Sequence, residues 1–303
     1  MQRKVSWVVM GLGLQGNRLI RTLQQSSNAV LVGTASERER RSYARALKNT
    51  LVDAVAIATP NDQHAPQVIA AAKAGKDILC EKPLTLSLQE GRRMQHEVKK
   101  SGVRCFVNYH LRMHPEVTRA RQLIAKKKLG VLTYIEMQWS IGDLAQTKLP
   151  PLPSHMRWRE NPKKAGGGAL MARGTHLFDL LRFITSKEVV AVYGWSDATK
   201  YTVDRTMVSI CILEGGIPVV ITTSKAMPNT DNHITIYGMK KNLALRNVFQ
   251  SDPNELYRKV FDAVTNARQG KKTALATLED GIAAVQLAEA FTRSASSGRT
   301  VSL

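Results

Sequence analysis

The hexapeptide "GLGLQG", residues 11–16, decides the fold, because it places three glycines between a strand-like and a helix-like stretch. The run before it, "VSWVVM", is apolar and rich in residues that favour β-strands. The run after it, "NRLIRTLQQ", carries leucine and isoleucine at helical spacing. In that setting the pattern G-x-G-x-x-G indicates a dinucleotide-binding turn, with a structural glycine turn as the alternative.

Each glycine has a separate physical task in such a turn. Gly11 permits the tight bend, Gly13 lets the backbone approach a pyrophosphate, and Gly16 lets the helix pack closely on the strand. Leu14 and Gln15 stand where the helix begins, and the free N–H groups of a helix N-terminus favour a phosphate. All five residues are therefore predicted to bind the cofactor.

The end of the second predicted strand, "AVLVGTA" (29–35), indicates which dinucleotide is bound. An acidic residue there would bind the ribose hydroxyls of NAD, whereas this chain has Ser36 followed by Arg38. Serine and arginine suit a 2′-phosphate, so NADP(H) is favoured over NAD(H). The neighbouring Glu37 favours NAD(H) instead, so the choice between the two dinucleotides stays open.

Residues 1–116 alternate between strand-like and helix-like segments, which predicts a doubly wound parallel α/β sheet of the Rossmann type. A capping-box pattern, Ser87-x-x-Glu90, opens one of the helices, and Gly102 closes it. Residues 117–303 have a different rhythm, with several β-rich segments and few helices between them. They predict a second, α+β domain with an open, mostly antiparallel sheet.

The composition narrows the classes of function. Lys and Arg number 44 against 24 Asp and Glu, which gives a net charge of +20 and favours anionic partners. The basic residues are scattered and no nucleic-acid-binding motif is visible, so no specific nucleic acid is expected; an acidic or phosphorylated small substrate is an alternative. The three cysteines have neither disulfide nor zinc spacing, and no apolar run reaches the ~18 residues of a membrane span. A cytoplasmic protein without a metal site or membrane association is expected.

Three further stretches complete a recognisable set: "IATPNDQHA" (57–65), "CEKPLTLS" (80–87) and "GGGALMARGTHLFD" (166–179). Together with the glycine turn they resemble the Gfo/Idh/MocA family, the glucose–fructose oxidoreductase and inositol dehydrogenase group. The resemblance covers nearly the whole chain. It implies an NAD(P)-dependent oxidoreductase acting on a CH–OH group of a sugar, cyclitol or related polyol. It also implies a homo-oligomer, a dimer or tetramer, formed through the C-terminal sheet.

The resemblance further implies roles for individual residues. Lys82 of the E-K-P tripeptide polarises the substrate oxygen, and His176 carries the proton, with Asp179 beside it on the same helix. General chemistry agrees, because a desolvated lysine stabilises a developing alkoxide and a histidine titrates in the useful range. Besides the glycine turn, Ser36 and Arg38, the predicted cofactor-binding residues are Thr59, Pro60, Asn61, His64, Glu81 and Lys82. The predicted substrate-binding residues are Asn108, Arg112, Arg157 and Arg173.

The chain departs from the family in two places. The family's aspartate four residues before the histidine is replaced by Ala172, which can neither orient an imidazole nor bind a hydroxyl. Between Ser36 and Asp53 the chain is also too short for the family's usual helix, strand and helix, and the missing elements flank the adenosine side of the cofactor. Two alternatives to the oxidoreductase therefore stay open: a regulator or scaffold that binds the cofactor, and an NAD-dependent glycosidase.

Overall fold

The contacts of the chain divide it into two compact units. The first combines Met1–Met113 with Asp252–Ile282, and the second combines His114–Ser251 with Ala283–Leu303. The predicted split placed everything after residue 116 in the second domain, whereas Asp252–Ile282 belongs to the first unit. The computed structural model describes residues 4–36, 42–142, 152–228 and 231–303.

The first unit is built on a six-stranded sheet. Five strands run parallel, and the edge strand Ala276–Thr277 is antiparallel to its neighbour. This confirms the predicted doubly wound parallel sheet. In spatial order the strands are Ala276–Thr277, Cys105–Val107, Asp77–Cys80, Ala54–Ile57, Val5–Met10 and Ala29–Ala35.

Helices pack on this sheet because it presents apolar side chains on both faces. Phe261 meets the buried Trp7 edge-to-face, with ring centroids 5.0 Å apart, and this contact fixes a late helix to the first strand. The predicted cap is confirmed, since the Ser87 hydroxyl accepts a hydrogen bond from the Glu90 N–H and Gly102 ends that helix with positive φ. The helices of this unit are Leu14–Gln24, Ser42–Lys48, His64–Lys73, Leu88–Ser101 and Pro253–Arg268, with short 3-10 turns at Asn61–Gln63 and His110–Met113.

The second unit is built on a seven-stranded sheet that is antiparallel apart from one parallel pair, Leu132–Gly142 with Ile217–Pro228. This confirms the predicted mostly antiparallel sheet. The strands are, in spatial order, Leu243–Leu245, His233–Gly238, Leu132–Gly142, Ile217–Pro228, Thr206–Leu213, Val189–Ser196 and Val301–Ser302.

The helices of the second unit place their apolar faces in its core. Leu177, Phe178 and Leu181 are buried along the helix that carries His176. The long helix Leu278–Ser297 begins in the first unit and continues in the second. In the described part of the chain, no helix is both long and apolar enough to cross a membrane. The remaining helical segments are Pro115–Ala125, Ser154–Glu160 (3-10), Pro162–Ala165, Leu170–Gly174 (π) and Thr175–Thr185.

Candidate functional site

The glycine turn of the first unit tolerates no side chain at two of its three glycines. Gly11 has φ +98°, and a Cβ atom there would lie 2.6 Å from the carbonyl oxygen of Ala58. A Cβ atom on Gly16 would lie 1.7 Å from the carbonyl oxygen of Gly11. Both distances are far inside van der Waals contact, so the tight bend and the close helix packing require glycine as predicted.

Gly13 is different, because a Cβ atom there would meet nothing within 4 Å. It is the N-cap of the helix Leu14–Gln24, which has no side-chain cap and no acidic residue in its first turn. The start of the helix therefore has free space beside Gly13 and no capping side chain. This arrangement fits the pyrophosphate of a dinucleotide, which helix N-termini bind through such N–H groups and through their partial positive charge.

Side chains at the start of this helix are held from within the same unit. Gln15 donates a hydrogen bond of 2.9 Å to the hydroxyl of Tyr257, and Arg18 donates one of 2.8 Å to the amide oxygen of Gln15. Leu14 is half exposed beside the glycine turn. The chain therefore fixes Gln15, whereas the face of Leu14 stays accessible to a ligand.

A cavity of about 410 Å³ lies beyond the first and third strands, on the side where the carboxyl ends of the parallel strands point. Ligands of doubly wound sheets bind at this edge. Of the predicted cofactor residues, Thr59 and Pro60 line it. Sequence reasoning missed the other lining residues, of which only Gln63 lies in a quoted motif: Met10, Tyr43, Ala44, Leu47, Gln63, Pro66, Gln67 and Ala70.

Near this cavity the chain between the second and third strands is short. Ser36 is bound at both ends of its backbone, because the Ser42 hydroxyl accepts from its N–H at 3.0 Å and donates to its carbonyl at 2.7 Å. The Ser36 side chain is half-buried. Arg38, the other residue predicted to select NADP, lies outside the described residues.

His64 is buried and connects two parts of the cofactor-side segment. Its Nδ1 lies 2.8 Å from the Pro83 carbonyl oxygen and its Nε2 lies 3.1 Å from that of Thr59. Burial lowers the pKa of His64, so the neutral ring is favoured. Both ring nitrogens face backbone carbonyls, which assigns His64 to positioning the residues around Thr59 and Lys82. Asn61 is buried at the start of the same short turn.

Lys82 follows the strand Asp77–Cys80 in a cluster of polar residues within the first unit. The carboxylate of Glu81 accepts hydrogen bonds from the Asn108 amide at 2.7 Å and from the Lys82 N–H at 3.3 Å. Burial raises the pKa of Glu81, and the charge of Lys82 opposes that rise. Burial lowers the pKa of His110 to about 3, and the charges of Lys82 and Arg18 act in the same direction, so the His110 ring is neutral.

Two of the predicted substrate residues have partners inside the first unit. Asn108 is almost fully buried, and its amide N–H₂ is used by Glu81. Arg112 forms an ion pair of 3.0 Å with Asp280 and donates to the Leu275 carbonyl at 3.3 Å. Because this ion pair compensates the charge of Arg112, the residue holds the end of the first unit together, and a role in substrate binding is left as a prediction.

In the second unit the glycines before His176 serve a different purpose from those of the first turn. Gly166 ends the short helix Pro162–Ala165 with φ +75°. A Cβ atom on Gly168 would lie 1.8 Å from the backbone oxygen of Asp204. The Asp204 carboxylate accepts hydrogen bonds from the N–H groups of Gly168 at 2.5 Å and Leu170 at 2.7 Å. Asp204 therefore closes this turn.

The helix that carries His176 begins with a π-helical turn, Leu170–Gly174, and becomes α-helical from Thr175. The N–H of Thr175 bonds to the carbonyl of Leu170, five residues back. The expectation that Ala172 and His176 lie side by side rests on α-helical spacing, and the wider turn changes that relation. Such π-turns are frequent at functional sites.

Aromatic and charged side chains surround His176. Its ring centroid lies 5.5 Å from that of Trp139, which stacks on Phe249 at 4.7 Å. Asp179 is fully buried on the same helix. The guanidinium of Arg173 lies 5.8 Å from the Trp139 ring centroid, and burial lowers the pKa of Arg173 to about 10.

The other predicted residue of this unit, Arg157, is exposed on the 3-10 segment Ser154–Glu160. Sequence reasoning missed Trp139, Asp204 and Lys225. Lys225 lies close enough to Arg173 for the Arg173 charge to lower the pKa of Lys225. Trp139 alone had a signal, since it ends the alternating strand pattern "VLTYIEMQW". Nothing in the local sequence singles out the other two.

Three family models match consecutive parts of the chain and leave only short stretches unmatched. Residues 5–109 match the oxidoreductase family with an NAD-binding Rossmann fold. Residues 117–244 match the GFO/IDH/MocA C-terminal domain, and residues 246–303 match the C-terminal alpha/beta domain of the oxidoreductase family. The matches therefore agree with the Rossmann fold seen in the first unit and with a separate C-terminal sheet.

Similar proteins include characterised enzymes. The chain is 26% identical to 1,5-anhydro-D-fructose reductase of Ensifer adhaerens, over 83% of this chain and 80% of that protein. It is 29% identical to scyllo-inositol 2-dehydrogenase (NAD(+)) of Bacillus subtilis, over 64% of this chain and 58% of that protein. The crystal structure of an aldose-aldose oxidoreductase from Caulobacter crescentus has a TM-score of 0.84 at 22% identity, covering 99% of this chain and 100% of that one, and so shares the fold.

Proposed function

The chain belongs to the GFO/IDH/MocA oxidoreductase family, and we propose that it transfers a hydride between a nicotinamide dinucleotide and a carbinol or carbonyl carbon of a sugar or cyclitol. The relatives named above are a sugar reductase and an inositol dehydrogenase. They favour an oxidoreductase over the regulator and glycosidase alternatives.

The observation that carries this proposal is the glycine turn with its open helix N-terminus. A Cβ atom on Gly13 would meet nothing within 4 Å, and the helix Leu14–Gln24 has no cap of its own. The cavity lined by Thr59 and Pro60 gives room for a ligand beyond the same strand ends. The residues present therefore fit a dinucleotide, with Gly11, Gly13 and Gly16 shaping its pyrophosphate site.

The bound nicotinamide supplies the acceptor for the hydride, and the residues of the chain move the proton. In the direction of oxidation, Lys82 donates a hydrogen bond to the substrate oxygen and stabilises the negative charge that develops on it. His176 takes the hydroxyl proton. Loss of this proton and of the hydride converts the carbinol of the substrate to a carbonyl. Asp179, buried on the same helix, is proposed to position His176.

Two substitutions test these roles. Lys82→Ala and His176→Ala are each expected to lower turnover by ~10²–10⁴-fold, because a positioned acid–base group contributes about that much. Dinucleotide affinity is expected to stay near that of the unmodified protein, which titration of the intrinsic fluorescence measures. Unchanged turnover in either variant, on the substrate found by screening, would remove that residue from the mechanism.

The preference for NADP(H) is proposed on the grounds of Ser36 and Arg38. Arg38→Ala is expected to weaken NADP(H) and leave NAD(H) affinity nearly unchanged, because only the former carries the 2′-phosphate. Calorimetric titration of both dinucleotides measures the difference. If the unmodified protein binds NAD(H) more tightly than NADP(H), the assignment is wrong.

We also propose a homo-oligomer that forms through the C-terminal sheet, in a cytoplasmic setting. Two neighbouring strands of that sheet, Val189–Ser196 and Thr206–Leu213, leave Trp195 and Ile210 exposed, which favours a further contact there. The three cysteines, Cys80, Cys105 and Cys211, are all unbridged and buried, which suits a reducing compartment. Light scattering of the purified protein tests the oligomer.

A further inference from the structure

Arg173 is a buried cation whose charge the described residues do not compensate. Its exposed fraction is 8%, and its Nη1 makes no hydrogen bond to any described residue. Within the same described part of the chain, no ion pair with a carboxylate involves it, and burial alone accounts for the lowered pKa of its guanidinium. Burying a charge without a partner is costly, so its presence calls for a partner from outside these residues.

The sheet beneath Arg173 carries a second buried polar group without a hydrogen bond to any described residue, the hydroxyl of Thr223. In the register of the strands, Thr223 lies between Trp139 on one neighbour and Met207 on the other, so the three share a face. The Arg173 guanidinium lies over the Trp139 ring on that face. The Thr223 hydroxyl is buried, and no described residue satisfies it with a hydrogen bond. Two buried donors, a guanidinium and a hydroxyl, therefore lie on one side of the sheet.

Lys225 adds a second positive charge two residues further along the same strand. Burial lowers the pKa of Lys225, and the charge of Arg173 lowers it further, which shows that the two cations are close. Arg159 acts in the same direction, whereas Asp204 and Glu160 oppose it. The groups that act on one another here carry three formal positive charges (Arg173, Lys225 and Arg159) against two negative ones (Asp204 and Glu160), so the cluster keeps a net positive charge.

We propose that Arg173, Lys225 and Thr223 form a subsite for an anionic group of the substrate, so that the substrate is a sugar acid or a sugar phosphate rather than a neutral sugar. A guanidinium binds a carboxylate or a phosphate through two parallel hydrogen bonds, while a lysine adds charge and a hydroxyl adds a further donor. Trp139, between this subsite and His176, offers an apolar surface for the sugar ring. The inference deepens the proposed function and rests on it.

Calorimetric titration in the presence of NADPH tests the subsite without relying on turnover. The probes are glucose, galactose and inositol, the uronic acids of the two hexoses, and phosphate monoesters of all three. Charged probes are expected to bind at least tenfold more tightly than their neutral counterparts, which is the usual order for a buried charge pair. A preference for the uronic acids identifies a carboxylate, and a preference for the monoesters identifies a phosphate; both outcomes support the subsite.

Variants connect that affinity to the named residues. Arg173→Met and Lys225→Met are each expected to remove at least tenfold of the affinity for charged probes and to leave NADPH affinity unchanged. The matched control is Arg182→Met, which removes a guanidinium from the same helix, one that forms an ion pair of 2.6 Å with the exposed carboxylate of Glu188. It is expected to bind the probes as the unmodified protein does. The use of two variants at separate positions covers the case in which one of them does not fold.

The proposal is overturned if charged and neutral probes bind equally, or if the folded variants keep full affinity for the charged ones. A separate readout, the formation of reduced nicotinamide with each probe, distinguishes this failure from that of the proposed function. Hydride transfer to or from neutral sugars alone would leave the oxidoreductase in place and remove the anionic subsite. Binding of charged probes that depends on Arg173, without hydride transfer to or from any probe, would support the subsite and contradict the oxidoreductase.

Discussion

The molecule contains two glycine-rich turns, each of which opens a helix, and they differ in what covers the helix N-terminus. In the first, the N-terminus that follows Gly13 has no side-chain cap, and a Cβ atom on Gly13 would meet nothing within 4 Å. In the second, the Asp204 carboxylate accepts hydrogen bonds from the N–H groups of Gly168 and Leu170. The first turn is therefore the one that we propose binds the pyrophosphate, whereas in the second a carboxylate of the chain itself accepts from the N–H groups.

This difference has a consequence for the charges around each turn. In the first unit, Glu81 lies beside the cation Lys82, and Arg112 pairs with Asp280. In the second unit, Arg173 and Lys225 lie close together, and the charges of Asp204 and Glu160 oppose them only partly because Arg159 adds a further positive charge. Similar glycine patterns thus produce different environments: one suited to a dinucleotide, the other to a rigid helix that carries His176 and a positive patch.

The largest expected effect on stability comes from adding a side chain at Gly168, where the backbone of Asp204 already fills the space. Gly168→Ala places a Cβ atom 1.8 Å from a backbone oxygen that cannot move away cheaply, so the second unit must rearrange. We expect a loss of more than about 3 kcal/mol in the free energy of unfolding, within the range of backbone overlap in a core. Urea denaturation followed by circular dichroism measures it. A loss below about 1 kcal/mol would show that the turn is not fixed by Asp204.

Removing the carboxylate itself is expected to have a somewhat smaller effect. Asp204→Ala leaves the buried N–H groups of Gly168 and Leu170 without acceptors, at about 1–3 kcal/mol for each unsatisfied group. Partial replacement by water reduces this to an expected total of about 2–3 kcal/mol. Asp204→Asn keeps one acceptor oxygen and should recover part of the loss. If the two variants are equally stable, the carboxylate is not the cap of this turn.

The same substitution in the open turn is expected to affect binding and not stability. Gly13→Ala meets no atom within 4 Å and has an allowed backbone conformation, so the free energy of unfolding should change by less than about 1 kcal/mol. The added methyl group occupies the space proposed for the pyrophosphate, so dinucleotide affinity should fall about tenfold, or ~1.4 kcal/mol. Calorimetry and denaturation on the same sample check both halves. A destabilised variant with intact affinity would reverse the comparison.

The smallest expected effect is a gain in stability. Arg173→Met replaces a buried, uncompensated guanidinium with an apolar chain of similar length, and such replacements are often neutral or stabilising. We expect the unliganded protein to gain about 1 kcal/mol, as is common where function and stability oppose each other. Arg182→Met leaves the exposed carboxylate of Glu188 without its partner, so stability should change by less than about 1 kcal/mol. A large loss in Arg173→Met would assign Arg173 to the structural core instead.

Much of the fold and the glycine turn could be predicted from the sequence, because they depend on residues that are close together along the chain. The glycine turn, the alternation of strands and helices, and the cap formed by Ser87 are set by residues a few positions apart. The sequence also predicted that the second sheet would be mostly antiparallel. In each case propensity, spacing and tertiary packing agree.

Other features depend on partners distant in the chain. Asp204 reaches Gly168 from 36 residues away, and no motif around either position indicates that contact. The helix Pro253–Arg268 belongs to the first unit because Phe261 packs on Trp7, which a division of the chain at residue 116 could not anticipate. His64 was predicted to bind the cofactor, whereas its ring contacts the carbonyls of Thr59 and Pro83.

The central claim is that the open glycine turn holds a nicotinamide dinucleotide whose hydride is exchanged with a sugar carbon. The most direct measurement is the near-ultraviolet absorbance of reduced nicotinamide, followed with NADP⁺ or NAD⁺ and a panel of neutral and charged sugars, for the unmodified protein and Lys82→Ala. We predict that absorbance rises with at least one sugar and that the rate falls ~10²–10⁴-fold in the variant. A protein that binds the dinucleotide and yet neither reduces nor oxidises it with any member of the panel would contradict the account.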